Sequence, residues 1–447
     1  MACSPVTSRS HPARPLGRWL LAAIALLLLI GCGADLPGPT PPPSGPAPTI
    51  TVPIDMPGVV TVWGRFGEDE LILLDQQIAR FEAANPDLLV EIVKPEGAVQ
   101  SVDALAQLLV DPNTAPDIVA LTDTWLPGLA AQGLLAPLDS YVESHGMALT
   151  EFLPQTLEAS RLNGVLYGLP RLTDGGLLYY RTDLLQASGL PVPATWTDIQ
   201  QTALRLKAEA NLKHGYVWQG AAYDSLACTT LEFVWAFGGE VGYNQGKLQF
   251  DSPEARQALA QIADLVTSEA SPTDITSYRE GTSLQAFAQG DAALMRNWVY
   301  AWDQLNAKDS PMQGRVGVAP LPASCQLGQT LALSAQSFYP DRAFRFMQFL
   351  TGYDAQIEMA IDLGRPPTRA AVFGDANLLA ARSEYTLLGP ALAETRARPG
   401  GAELLPLSEA IYVEVSQMLD QNQDPDTTAA RIQQRLDDWA PPQVVGP

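Results

Sequence analysis

The stretch VVTVWGRFGEDELILLDQQIARFEAANPDLLVEIV, residues 59–93, changes its hydrophobic period twice within 35 residues. Val59 to Trp63 is β-branched and aromatic, which reads as a strand. Leu71, Leu74, Ile78 and Phe81 then recur at i, i+3, i+7 and i+10, one apolar face of a helix that Asn85-Pro86 stops. Leu88 to Val93 is a second strand. Working outward, Ser101 caps a helix carrying Leu105, Leu108 and Leu109, and Asp117 to Leu121 (DIVAL) is a third strand. Strand, helix, strand, helix, strand predicts right-handed crossovers and a parallel sheet covered by helices on both faces. This part of the chain is an α/β lobe.

The character repeats after Tyr167. Leu177 to Tyr180 reads as a strand, Thr195 to Lys207 as a helix capped by Thr195 or Thr197, and Tyr216 to Trp218 as a short strand. Tyr223 to Phe237 is a mostly apolar helix ended by Gly238-Gly239. Ser252-Pro253 opens another, a cap followed by proline at the first helical position, with Ala258, Ile262 and Leu265 on its buried face. A helix over Thr282 to Gln289 and strands at Ala293 to Met295 and Val316 to Val318 follow. After Asp426, Ile432, Leu436 and Trp439 form the apolar side of a last helix. No repeat of 20 to 50 residues is visible, which excludes a solenoid or propeller.

The N-terminal end has a different logic. Residues 1–31 hold Arg9, Arg14 and Arg18, no acid, and a 12-residue apolar run from Trp19 to Ile30. That is a signal peptide, too short for the roughly 20 residues of a membrane-spanning helix. Leu29-Ile30-Gly31-Cys32 resembles the lipobox of bacterial lipoproteins, which implies lipidation of Cys32; the alternative is an ordinary secretory signal that contains Cys32. Either way the mature chain is extracytoplasmic. Nine prolines lie between Gly33 and Gly58, with no aromatic residue, so residues 32–58 read as an extended tether of about 3.1 Å per residue. Residues 441–447 read as a tail.

The 447 residues carry 27 Lys+Arg and 49 Asp+Glu, a formal charge of -22. Loss of the leader removes three cations and no acid, leaving 24 against 49, or -25. Such acidity excludes a phosphate-backbone partner, so no nucleic acid is expected, and it leaves the membrane as a partner only through the lipid. Of four cysteines, Cys228 and Cys325 remain in the body. In an oxidising compartment they predict one disulfide; the alternative is two buried thiols. Only His145 and His214 survive processing, without metal-ligand spacing, so neither a metal nor a cofactor is expected. There is no P-loop, G-x-G-x-x-G or G-x-S-x-G motif.

Six phrases now point to a family: Pro116 to Asp139 (PDIVALTDTWLPGLAAQGLLAPLD), Asn163 to Leu185 (NGVLYGLPRLTDGGLLYYRTDLL), Thr195 to Leu206, Phe237 to Leu259, Ala286 to Trp302 (AFAQGDAALMRNWVYAW) and Gly364 to Phe373 (GRPPTRAAVF). In this order and spacing, across residues 59–440, they resemble family 1 extracellular solute-binding proteins of ATP-binding-cassette importers. The resemblance implies a two-lobe, periplasmic-binding-protein-like α/β clamp with an interlobe ligand cleft, its chain crossing between lobes three times. Lobe 1 would hold 59–169 and 332–365, and lobe 2 170–331 and 366–440. It further implies a monomeric, non-enzymatic protein that closes on a sugar or oligosaccharide and delivers it to permease subunits. The competing readings are the same clamp around a polyol phosphate, amine or metal, and a secreted glycosidase. The tyrosine pair Tyr179-Tyr180 does not favour a metal, because adjacent strand residues face opposite ways.

A sugar needs aromatic platforms for its ring faces and carboxylates, amides or guanidinium groups for its hydroxyls. Strand ends within the six phrases and beyond the first strand supply Trp63, Arg65, Phe66 and Glu68, then Thr122, Asp123 and Trp125. Asp174 follows the first implied crossing, Trp298 the strand at Ala293, and Arg365 sits at the third crossing; Tyr223 completes the set. Each has a structural alternative: Asp123 as a helix cap, Asp174 as a turn residue, Trp63 and Tyr223 as core, Arg365 as an interlobe ion pair. Of Trp298 and Trp302, spaced i, i+4, one is core and Trp298 is assigned to the cleft. Trp218 and Trp235 read as core. Where sugar-binding relatives carry a Gly-Gly-aromatic turn, this chain has Gly328-Gln329-Thr330-Leu331, so Gln329 offers hydrogen bonds in place of a platform.

Overall fold

The computed structural model describes residues 58–93, 99–244, 247–399 and 401–439. The leader, Cys32, the proline-rich segment up to Pro57 and the tail 441–447 lie outside the described residues. Along the chain, β1 (Gly58–Trp63), α1 (Glu68–Ala84), β2 (Leu88–Ile92), α2 (Val102–Val110), β3 (Ile118–Thr122) and α3 (Leu126–Ala131) follow the alternation read from the sequence. β4 (Gly168–Gly175) and β5 (Leu177–Arg181) come next, separated by Gly176 alone. Then follow α4 (Trp196–Glu209), β6 (His214–Val217), α5 (Asp224–Ala236), α6 (Pro253–Thr267), α7 (Glu280–Ala288) and β7 (Ala292–Asn297). β8 (Val316–Pro320), β9 (Gln326–Leu333), α8 (Pro340–Leu350), α9 (Tyr353–Leu363), α10 (Tyr385–Ala393), α11 (Leu404–Leu419) and α12 (Pro425–Asp438) complete the principal elements. No helix among the described residues is long and apolar enough to cross a membrane.

Two sheets organise these elements. The first has the order β2-β1-β3-β9-β4, with β1 parallel to both β2 and β3 and β9 antiparallel to β3 and β4. Its strands are apolar on both faces: Val60, Val62 and Ile118 pack under α1 and α8, while Val119 and Leu121 pack with Leu105 and Leu109 of α2. The second sheet has the order β8-β5-β7-β6. It shares one core with α4, α5, α6 and the C-terminal helices α10 to α12.

The chain passes from the first sheet to the second at Gly176, returns through residues 321–325, and leaves again after α9. The lobe boundaries expected at 169/170 and 331/332 fall inside β4 and β9, which remain strands of the first sheet to Gly175 and from Gln326. Gly176 is required by close approach: a Cβ there would stand 2.1 Å from Glu232 Oε1. Glu232 and Arg296 form an ion pair with both side chains fully buried. Cys228 of α5 and Cys325, just ahead of β9, form a disulfide, and the Cys325 N–H donates to Glu232 Oε1 at 3.1 Å. The crossing strands are thus rooted in the second core.

Helix ends obey local chemistry. Thr195, not Thr197, caps α4 in a reciprocal box with Asp198, and Ser252 accepts from the Ala255 N–H with Pro253 in the first turn. The last helix starts ahead of Asp426, at Pro425, capped by Asp424, and it ends before Trp439.

Candidate functional site

The first wall is built at the ends of β1 and β3. Trp63 closes β1 with its side chain inside the core beside Leu105 and Val119, 6% exposed, so it packs. Arg65, two residues on, is exposed; it donates to the Val99 carbonyl at 2.8 Å and its guanidinium lies 5.0 Å from the half-buried Trp125 ring. Phe66 is half-buried beneath the Arg171 guanidinium at 5.4 Å. Glu68 opens α1, whose first turn is Glu68-Asp69-Glu70, the charge a helix N-terminus favours. Thr122 and Gln329 are register partners on β3 and β9.

Arg171 joins these groups, and the sequence reading missed it. Its side chain is 3% exposed, pairs with Glu70, and donates to Gln329 Oε1 at 2.6 Å. An arginine inside the apolar phrase YGLPRL was the available signal, since a buried guanidinium needs a partner.

Asp123 is 4% exposed and does not cap α3, which begins at Leu126 without a side-chain cap. Burial pushes its carboxyl up to about 6, against the pull of Arg398, whose guanidinium is 3.7 Å away. Its Oδ1 has no hydrogen-bond partner among the described residues.

The second wall faces the end of β4. Asp174 is the seventh residue of that strand and not a turn residue. Its Oδ1 accepts the N–H groups of Gly175 at 2.8 Å and Val299 at 3.0 Å. Burial pushes this carboxyl up to about 6, and the two N–H groups, Arg365 and Arg296 only partly offset it. Glu280 at the start of α7 accepts from Tyr223 Oη and Ser225 Oγ at 2.5 Å each and from Trp298 Nε1 at 3.2 Å. Burial acts to raise the Glu280 carboxyl, but the bonds from Ser225 and Tyr223 hold it below its ordinary value.

Trp298 is buried, 5% exposed, with the Arg296 guanidinium 3.9 Å from its ring; Trp302 is the more exposed of the pair. Tyr300, between them, is half-buried, and its hydroxyl is raised by burial and by the charges of Glu280 and Asp174. Glu280 escaped the sequence reading because Tyr223 and Ser225 lie 57 and 55 positions away.

Arg365 is exposed and forms no ion pair among the described residues. With Glu68 it lines a cavity of about 510 Å³ that Asp303 and Arg382 also border. Asp123 lines a second cavity of about 340 Å³ with Arg398 and Asn163. Tyr223, Trp298, Asp174 and Gln329 line neither. No cluster among the described residues is arranged to hold a metal ion. The walls combine carboxylate and amide acceptors, guanidinium donors and aromatic rings, which is equipment for recognising a polar, ring-shaped solute.

Comparison with known proteins agrees. Residues 69–357 match the family described as bacterial extracellular solute-binding protein. A probable ABC transporter-binding protein of Deinococcus radiodurans is 31% identical over 336 residues, covering 72% of this chain and 79% of the relative. Maltose-bound MalE3 of T. maritima is 34% identical, covering 85% of this chain and 99% of its own, with a TM-score of 0.74. The GacH receptor of Streptomyces glaucescens, solved unliganded and with acarbose, is 25% identical over 86% of this chain and 100% of its own, TM-score 0.72. This chain, a two-lobed α/β protein, belongs to the family of bacterial extracellular solute-binding proteins.

Proposed function

We propose that the protein binds a sugar or oligosaccharide between its two lobes and delivers it to the permease subunits of an ATP-binding-cassette importer. The observation that carries this is the likeness to a maltose-bound structure over 85% of the chain at 34% identity, together with Asp174. That carboxylate stands at the crossing between the sheets, fixed by two backbone N–H groups, with a lone pair free for a ligand hydroxyl. Binding needs no covalent step: closure brings the Arg65, Phe66, Thr122 and Gln329 wall, with Asp174 at the end of the same sheet, toward Tyr223, Glu280 and Tyr300. Ligand stabilises the closed state by its differential affinity, and the permease reads that state. Lipidated Cys32 and the proline-rich tether hold a monomeric body near the membrane.

The test is thermal shift of the purified protein against a panel of saccharides, polyols and amines. A saccharide should raise the melting temperature in a concentration-dependent way, as linkage requires. Stabilisation by an amine or polyol phosphate, with no saccharide active, would replace the sugar reading. Intact-protein mass spectrometry of membrane fractions tests the anchor: a diacylglyceryl adduct at Cys32 is expected, and an unmodified Cys32 would reject it.

A further inference from the structure

The described residues of the connection between α10 and α11, 394–399 and 401–403, belong by their flanking helices to the second core yet touch both cores. Ala402 packs against the core cluster that includes Leu105 and Leu129 of the first lobe. Arg396 pairs with Glu240 at 2.7 Å and lies 4.8 Å over the ring of Trp235 of α5. Between these anchors Arg398 is buried, its side chain 2% exposed. On the second-lobe side its guanidinium donates to Asp224 Oδ1 at 2.7 Å and Ser408 Oγ at 3.3 Å. On the first-lobe side it donates to Thr124 Oγ1 and faces Asp123 at 3.7 Å. Thr124 in turn donates to Asp224 Oδ2 at 3.3 Å.

We propose that Arg398 is a positioning residue for lobe closure, setting the fraction of ligand-free protein whose lobes are in contact. The inference rests on the clamp reading above and deepens it. A planar guanidinium holds five N–H donors in a rigid fork that serves acceptors on two bodies at once, whereas an ammonium offers three donors on a point charge. If the lobes part, the Arg398–Asp224 pair survives within the second lobe. Opening breaks the bonds from Arg398 to Thr124 and from Thr124 to Asp224 and separates the guanidinium from Asp123, so these three interactions couple the lobes. Apparent ligand affinity then scales with the fraction of molecules already competent.

The experiment uses the full chain carrying Thr124→Val, which is close to isosteric and leaves Arg398–Asp224 intact. Small-angle scattering measures the ligand-free radius of gyration, and calorimetry measures maltose affinity. The radius should rise in the variant and return to the parental value with saturating maltose, and binding should weaken roughly tenfold, the size of one hydrogen bond to a charged group. Arg398→Lys, which keeps the charge but not the fork, should shift both readouts the same way. A ligand-free radius unchanged in both variants, with only the melting temperature lowered, would overturn the proposal and leave Arg398 a packing residue. If the parent binds no maltose, the sugar reading fails, while the ligand-free scattering comparison still decides the role of Arg398.

Discussion

The two walls of the cleft carry similar chemistry on different foundations. In the first lobe, Arg65 beyond β1, Glu68 at the start of α1 and Thr122 at the end of β3 stand exposed. In the second, Tyr223, Glu280 and Trp298 are already bonded to one another, and the Val299 N–H donates to Asp174 at the end of the first sheet. Beneath them lie a fully buried ion pair and a disulfide. The groups of the second wall are held by bonds among themselves, whereas in the first Arg65 is tied only to the Val99 carbonyl and Gln329 is held by the buried Arg171. Preorganisation lowers the entropic cost of binding, but it ties the second wall to the stability of its core. Mutations in the second lobe should therefore affect folding and binding together, and those in the first wall binding alone.

The largest expected effect lies beneath the second wall. Glu232→Ala strands the buried Arg296 charge and should cost about 3–5 kcal/mol in denaturant unfolding. The exposed pair Arg80–Glu358 gives the contrast: Arg80→Ala should cost about 1 kcal/mol or less. Equal losses would break the distinction between the foundations.

At the wall itself, Asp174→Ala should weaken sugar binding about 10- to 100-fold, the range for a lost hydrogen bond to a charged acceptor. Folding should weaken as well, by about 1–3 kcal/mol, because the part-buried Val299 N–H loses its acceptor. Unchanged affinity with lowered stability would make Asp174 structural.

A pH titration separates the two carboxyls that burial raises to about 6, Asp123 and Asp174. Folded-state values above the ordinary 3.8 mean that the folded protein takes up these protons first. Their contribution to stability is present below about pH 4 and is lost as pH rises from about 4 to 6. Binding runs the other way: affinity should fall as pH drops through about 6 and the Asp174 acceptor is neutralised. Asp174→Asn should flatten that profile, and a profile of unaltered shape would assign the titration elsewhere. The smallest effect is expected for Arg65→Ala, a threefold to tenfold loss of affinity with no change in melting temperature, the order of one exposed contact. A fall in melting temperature there would show that the first wall is as integral to its core as the second.

The same contrast explains what could be read from the sequence. The first lobe was legible because α1 and α2 are amphipathic and β1 to β3 are short apolar runs between turn signals. In the second lobe, α5 is buried at every position from Ser225 to Trp235. Such a helix has no polar face to give its orientation. The boundaries expected at 169/170 and 331/332 lie inside β4 and β9, which stay in the first sheet up to Gly175 and from Gln326. Candidate residues beyond strand ends can be picked out by position, which is a local property. Arg171, Glu280 and Arg398 cannot, because each is defined by partners 55 or more positions away: Glu70, Ser225 and Asp224 respectively. Trp63 shows the converse, an aromatic at a strand end that packs with Leu105 and Leu109 of α2.

Isothermal calorimetry of the full-length protein with maltose, the sugar held by a relative 34% identical over 85% of this chain, tests the central claim most directly. Saturable one-to-one binding is predicted, with the sugar recovered unchanged and the heat greatly reduced in Asp174→Ala. Absence of heat with maltose and with longer glucose oligomers, or conversion of the sugar to product, would contradict it.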